Sequence, residues 1–501
     1  MMRRSKMRAS AEKIVYEGNI YRPLTEGQIE EIHNTSLKIF EEVGVCIKSA
    51  PARELWRKAG AVVDENTGIC KIGKEIVDYC IAAAPKEFTQ YGRDPRHNIL
   101  QGGSRVYNAT AGEAVTVTDL ETGERRESTL YDLAAGTRLC DALENADIVQ
   151  VCCYPHEIDV KREDSDIVRA FTMAKNSSKH LSVGIYRPSS VSKLYKLCNM
   201  ILGQEGASRE RPFFTLVCGV ISPLIMDGKW TETLLESVKY GFPVASPSAP
   251  TLGTTCPGTL ASQLVLCNVE ALMTIITVQL AKAGHPCFYS AVPVSMDHRT
   301  GEFTFASVEG WIQNCAANQI AHWHNIPSYT TCGHSDAKVV DAQCGMEIAV
   351  GDMFQSMSGA NFAHGTFGLI ESGLNLSYEA YVMANEYTAM AKRVLRGIEV
   401  NEETLGFESI KKQGHGGVFL EDPITMQYMR SEFFYPKLSD RKTFSTWQEA
   451  GSPSYLKKAN EIARDILANH KPLPIDPDIE EAIRKEFPDM PPDAGKIWSE
   501  R

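Results

Sequence analysis

The chain has 501 residues, 43% of them hydrophobic, and a formal net charge of −11. That length and apolar share sustain a large buried core, and its dispersed charges argue against nucleic acid or an anionic membrane surface as a partner. Arg3, Arg4, Lys6, Arg8 and Lys13 crowd the start, but no apolar run follows them as it would in a secretory leader. No segment reads as a membrane span. The fourteen cysteines are scattered and form no CxxC pair. They read as buried thiols of a reducing, cytoplasmic compartment, not as a disulfide framework or a structural zinc site.

Residues 1–23 read as a basic tail, and 24–130 as a helical and β-rich extension packed on a larger domain. A helix opens at Thr25, a residue suited to capping, and its apolar positions recur at helical spacing. Residues 62–72 alternate around Asn66-Thr-Gly, a hairpin signal. The stretch 103–128 is β-rich, with strands expected from Arg105 and from Ala114 and a turn at Glu121-Thr-Gly.

From about residue 131 short apolar runs alternate with amphipathic helices. The runs are 148–154, 180–186, 213–221, 243–248, 286–292, 328–332 and 362–369, with an eighth candidate at 397–400. Strand and helix in alternation imply a parallel sheet, and seven or eight units fit a closed (β/α)8 TIM barrel over 131–440. Residues 441–501 are polar, contain several prolines, and are expected to wrap the barrel as a tail with helices. No GxGxxG, P-loop or GxSxG motif follows any run, so dinucleotide, nucleotide and serine-hydrolase readings lack support.

Barrel sites lie at the C-terminal ends of the strands. That rule selects Tyr154, His156, Tyr186, Cys218, Ser222, Ser246, Ser248, Tyr289, Cys332, His334, Asp336, His364, Phe367 and Glu371. The set is aromatic and histidine-rich and poor in lysine and arginine. It suits an alkylated ammonium ion held on ring faces better than a phosphate. Each tyrosine has an equal alternative use in filling the top barrel layer. Cys332, His334 and His364 are zinc-type donors, but their spacing matches no zinc signature, and no metal is expected.

The stretches Gly-His-Ser-Asp-Ala-Lys from Gly333 and Ala-His-Gly-Thr-Phe-Gly from Ala363 resemble signatures of the trimethylamine:corrinoid methyltransferase family. So do Tyr-Gly-Arg-Asp from Tyr91, Thr-Asp-Leu-Glu-Thr-Gly from Thr118, Asn-Val-Glu-Ala-Leu from Asn268 and Arg-Ser-Glu-Phe-Phe-Tyr-Pro from Arg430. These matches run in order along nearly the whole chain. The resemblance implies a TIM barrel and a methyl transfer to the cobalt of a corrinoid on a cognate partner protein, with no cofactor bound to this chain. A homo-oligomer is expected.

In the trimethylamine enzymes of that family, pyrrolysine precedes Ser-Asp-Ala-Lys; here His334 stands there. Pyrrolysine is thought to add a methylamine to its imine, which needs a lone pair that a quaternary ammonium lacks. Members without it resemble demethylases of glycine betaine, proline betaine, carnitine or γ-butyrobetaine. The resemblance and the strand ends together select His334 and Glu270 as catalytic. Tyr107, Asn108, Tyr289, Trp311, His364 and Phe367 are expected to bind substrate, with Asp336, Gln343 and Glu371 behind them. A second departure is Ile424, where histidine is expected. Two other classes stay open: a zinc-dependent corrinoid methyltransferase for another methyl donor, and a catalytically silent betaine-binding protein.

Overall fold

The computed structural model of the chain describes residues 15–158 and 164–500. The basic residues of the N-terminal tail up to Lys13 lie outside the described residues.

Eight parallel strands form the centre: β1 Arg105–Thr110, β2 Ile148–Gln150, β3 His180–Gly184, β4 Phe214–Val217, β5 Val244–Ala245, β6 Tyr289–Ser290, β7 Ser328–Thr331 and β8 Phe362–Phe367. β1 lies between β2 and β8, and the other strands follow in chain order. Parallel bridges Val244↔Cys287 and Ser248↔Ala291 join β5 to β6 and close the barrel. Each strand is followed by its outer helix: α1 Leu130–Ala142, α2 Ser165–Asn176, α3 Pro188–Leu202, α4 Gly228–Tyr240, α5 Leu260–Ala281, α6 Val308–His324, α7 Ala342–Ser358 and α8 Tyr378–Leu395. The (β/α)8 expectation from the strand rhythm is met.

The expected eighth strand is corrected. Residues 397–400 form an irregular segment after α8, with Ile398 86% and Val400 71% exposed. The missing strand is Arg105–Thr110, which the sequence reading gave to the extension. The antiparallel hairpin Thr116–Thr118 and Arg125–Glu127 separates it from α1 and hides the strand–helix rhythm.

Alternation along β1 divides its side chains. Tyr107 and Ala109 enter the barrel interior with Phe88, Ile148, Phe288, Tyr329 and Phe362. Val106 faces outward with Ala360, Ala363 and Leu395. The hairpin of Glu87–Gln90 and Ile99–Gly102 plugs the N-terminal end of the barrel, where Phe88 meets Phe288 edge-on at 5.0 Å between ring centroids. This aromatic plug leaves the opposite end as the open face.

Helix α5 is capped by Thr259, which accepts from the Ser262 N–H, and its interior contains neither glycine nor proline. It is long and apolar enough to cross a membrane by composition alone, but it is packed inside this fold. Its outer side meets Ile29, Ile32, Phe40 and Trp56 of the N-terminal segment, and Trp56 donates to Thr277 Oγ1 at 3.0 Å. Burial on both sides is why the helix is apolar all round. The expected cap at Thr25 and the hairpin of Val62–Val63 with Ile69–Lys71 are both present. At the other end of the chain Ala459, Ala463, Ile483 and Phe487 pack with α1, α2 and α8, and Arg93 donates to the Leu473 carbonyl.

Candidate active site

A cavity of about 330 Å³ opens at the C-terminal ends of the strands. Its floor is a polar layer above the aromatic plug. Tyr329 donates its hydroxyl to Gln150 Oε1 at 3.1 Å, and Gln150 Nε2 lies 3.2 Å from His364 Nε2. His364 stacks on Tyr329 with centroids 5.2 Å apart. Tyr186, Trp230, Phe303 and Phe305 form the walls, with Tyr186 edge-on to Trp230 at 5.4 Å.

One charged side chain, Glu113, lines this cavity among the described residues. It accepts from the Tyr186 hydroxyl and, at 2.6 Å, from Arg169. Arg169 is fully buried behind the wall. It also donates to Asp166 at 2.9 Å and to the Gly184 carbonyl at 2.8 Å, and it lies beneath the rings of Tyr154 and Tyr186. These anions hold the guanidinium charged despite its burial.

The rear wall is built from the two sequence signatures. Phe305 stacks on His334, with centroids 4.2 Å apart and planes 17° from parallel. Asp336 fastens the loop that carries Phe305, accepting from the Thr304 hydroxyl and from the Phe305 and Ala306 N–H groups at 3.1 Å each. Gly365, at φ +74°, faces His334; a Cβ there would lie 2.7 Å from the imidazole. Neither His334 nitrogen has a hydrogen-bond partner, nor does His364 Nδ1. Burial without an anion pushes His334 down to about 3 and His364 well below the usual histidine range, so both are neutral near pH 7.

The sequence-selected residues separate into two groups. His364 lines the cavity, and His334 supports it from behind Phe305. Tyr107 instead belongs to the plug at the closed end. Asn108 faces the helical layer, where its Oδ1 accepts from Thr366 Oγ1 at 3.4 Å, a hydroxyl that also reaches Gln355 of α7. Tyr289 points out to α5 and α6, donating to Asn268 Oδ1 at 3.0 Å beside His324. Trp311 stacks on Phe354 between α6 and α7, and Phe367 packs edge-on to Tyr381 of α8. Tyr107, Tyr289, Trp311 and Phe367, expected to form a cage, do not line this cavity; the aromatic residues that do are Tyr186, Trp230, Phe303, Phe305 and Tyr329. The strand-end rule reached Tyr186 without selecting it as a binding residue. Glu113, Phe303 and Phe305 sit on connections and Trp230 in the first turn of α4, where strand periodicity gives no signal.

Glu270 does not bond His334. Its carboxylate accepts from Ser222 Oγ at 2.7 Å, the Leu224 N–H at 3.0 Å and Ser248 Oγ at 2.5 Å, tying the connections after β4 and β5. Burial raises its proton affinity in spite of those bonds. Gln343 donates to Glu347, which also accepts from Ser335 and from the Asp336 N–H. Glu371 pairs with Arg125 at 2.8 Å. No three His, Cys, Asp or Glu side chains converge as a metal-ligand set among the described residues. Cys332 sits beside Cys315 of α6 and near Asp352 of α7, in the helical layer.

A closed β/α barrel with an aromatic cavity at its strand ends has the build of an enzyme. The profile of the trimethylamine methyltransferase (MTTB) family matches residues 1–489. Trimethylamine methyltransferase MttB of Desulfitobacterium hafniense (strain DSM 10664 / DCB-2) is 32% identical over 481 residues, covering 96% of each chain. The glycine betaine methyltransferase of Desulfitobacterium hafniense (strain Y51) is 28% identical over 464 residues, 93% of this chain and 96% of its own. The crystal structure of Methanosarcina barkeri monomethylamine methyltransferase aligns over 89% of this chain and 93% of that one, with TM-score 0.43 and 12% identity. The chain belongs to the trimethylamine methyltransferase family.

Proposed function

We propose that the chain demethylates a small quaternary amine and delivers the methyl group to a corrinoid held by a second protein. The observation that carries this reading is the cavity itself: aromatic walls, one carboxylate and no lining lysine or arginine among the described residues. Ring faces attract an alkylated ammonium and exclude the water that would otherwise solvate it. His334 at the position before Ser-Asp-Ala-Lys supports a substrate that needs no imine adduct. A cavity of about 330 Å³ suits such an amine and is too small for a corrin macrocycle, which fits a corrinoid presented at the mouth beside half-exposed Phe303. When bound there, a cobalt(I) corrinoid supplies the nucleophile for a displacement at the methyl carbon.

The chain's own residues have a limited task. The C–N bond breaks with its electron pair staying on nitrogen, so the product is a neutral tertiary amine. That leaving group requires no proton, which agrees with neutral His334 and His364 and with the absence of a charged acid at the cavity floor. Tyr186, Trp230 and Phe305 hold the cation in place, and orientation toward the mouth is the main contribution expected of them. The fourteen cysteines are all free, which supports a reducing cytoplasm. Exposed Ile398, Val400, Phe407 and Leu420 support an oligomer that covers them. The test is methyl transfer from a panel of quaternary amines and trimethylamine to cob(I)alamin, followed by absorbance. Transfer from a quaternary amine is expected; transfer from trimethylamine alone would refute the reading.

A further inference from the structure

Glu113 gives the cavity a preference that neither the fold nor the family name carries. We propose that the site selects quaternary ammonium ions lacking a carboxylate, such as choline-type or tetraalkylammonium cations, over zwitterionic betaines. The inference rests on the quaternary-amine reading above.

The argument is one of charge balance. Among the described residues, two carboxylates, Glu113 and Asp166, share the guanidinium of Arg169, so this cluster of three side chains carries a net negative charge. Asp166 is fully buried, while the Glu113 side chain keeps 21% of its surface exposed on the cavity side. The rings of Tyr186 and Trp230 flank the same wall and add their own attraction for a cation.

A betaine brings a carboxylate into the same small volume. Its recognition calls for a cation or several free N–H donors. No lysine or arginine lines the cavity among the described residues, and His364 at its floor is neutral. The substrate carboxylate would then face Glu113 without a counter-charge, and like charges in a desolvated site repel strongly.

Isothermal titration calorimetry on the full chain tests this without any corrinoid. The probes are tetramethylammonium, choline, glycine betaine and the neutral choline isostere 3,3-dimethylbutan-1-ol. Tetramethylammonium and choline are expected to bind roughly tenfold or more tighter than glycine betaine, with the neutral isostere weakest. Glu113→Gln should bring the choline-to-betaine ratio toward unity, whereas Glu113→Asp, which keeps the charge and checks the fold, should preserve a clear preference. Glycine betaine binding as tightly as choline would overturn the selectivity and leave the quaternary-amine reading standing. Failure of all three ammonium ions to bind, or equal binding of the neutral isostere, would remove that reading and the selectivity with it.

Discussion

His334 and Phe305 stack face to face, 4.2 Å apart, although 29 positions separate them. One comes from the end of β7, the other from the hairpin that follows β6, and Asp336 binds the two connections together through Thr304, Phe305 and Ala306. Phe305 is thereby preorganised as a wall, not left as a mobile ring. Asp336→Ala should release it, since hydrogen bonds to a charged acceptor each contribute about 1.5–3 kcal/mol. Weaker quaternary ammonium binding and faster proteolysis within 295–305 are the expected results. Unchanged affinity by calorimetry would show that the wall does not depend on this anchor.

Gly365 is the second support of His334. Its left-handed φ of +74° already disfavours a side chain, and a Cβ would meet the imidazole and Thr331 Oγ1 at 2.7 Å. Gly365→Ala should therefore destabilise the fold by about 1–3 kcal/mol. Relief by pushing His334 onto Phe305 would narrow the cavity as well. Thermal melting gives the first effect and ligand titration the second; a variant normal in both would mean that the backbone yields at this point without cost.

The barrel was largely legible in the sequence because strands buried on both faces read as apolar runs between helices. Arg105–Thr110 escaped because a hairpin stands between it and α1, not a direct turn into the helix. The site was less legible, for a geometric reason. Tyr289, Trp311 and Phe367 are large aromatic residues near strand ends or on barrel helices, as a cage requires. Whether such a side chain enters the barrel or the helical layer depends on the pleat, and a one-residue difference reverses it. Glu113, Phe303 and Phe305 lie on connections whose course depends on long-range contacts such as Asp336 with Thr304. His334 was reached by the strand-end rule as well as by the family signature, but its stacking partner follows from no local pattern.

The redrawn cage separates two sets of tyrosine and tryptophan substitutions. Trp230→Ala should weaken quaternary ammonium binding by about 0.5–2 kcal/mol through the lost cation–π contact, and by more where packing is lost too. Tyr289→Phe removes only the hydroxyl that reaches Asn268 and should leave binding unchanged while lowering stability by about 1 kcal/mol. The pair is measured by titration and thermal melting on the same preparations. The opposite pattern, with Tyr289 governing affinity and Trp230 silent, would place the amine outside this cavity.

The buried histidines set the pH dependence of stability. His334 is held at about 3 and His364 well below the usual histidine range, while His180, His285 and His322 are lowered to about 4 and His324 to about 3. In the unfolded chain each titrates near 6.5. Between these limits the unfolded state binds more protons, so stability is full above about 6.5 and declines as the pH falls, by up to about 1.4 kcal/mol per pH unit for each histidine. Asp352 opposes the trend by one proton, because burial raises its carboxyl to about 7 and it is protonated in the fold where the unfolded chain is ionised. Glu270, whose proton affinity burial also raises, acts in the same sense as Asp352, but six histidines against two carboxyls leave the net slope positive. Between pH 6.5 and 5, above the range of ordinary carboxylates, denaturant midpoints should fall as the solution is acidified. His334→Gln should flatten that slope by about one proton's worth, whatever it does to methyl transfer. An unaltered slope in the variant would mean that His334 is already protonated in the folded protein, and a charged imidazole beside the cavity would then have to be matched by an anion on the substrate.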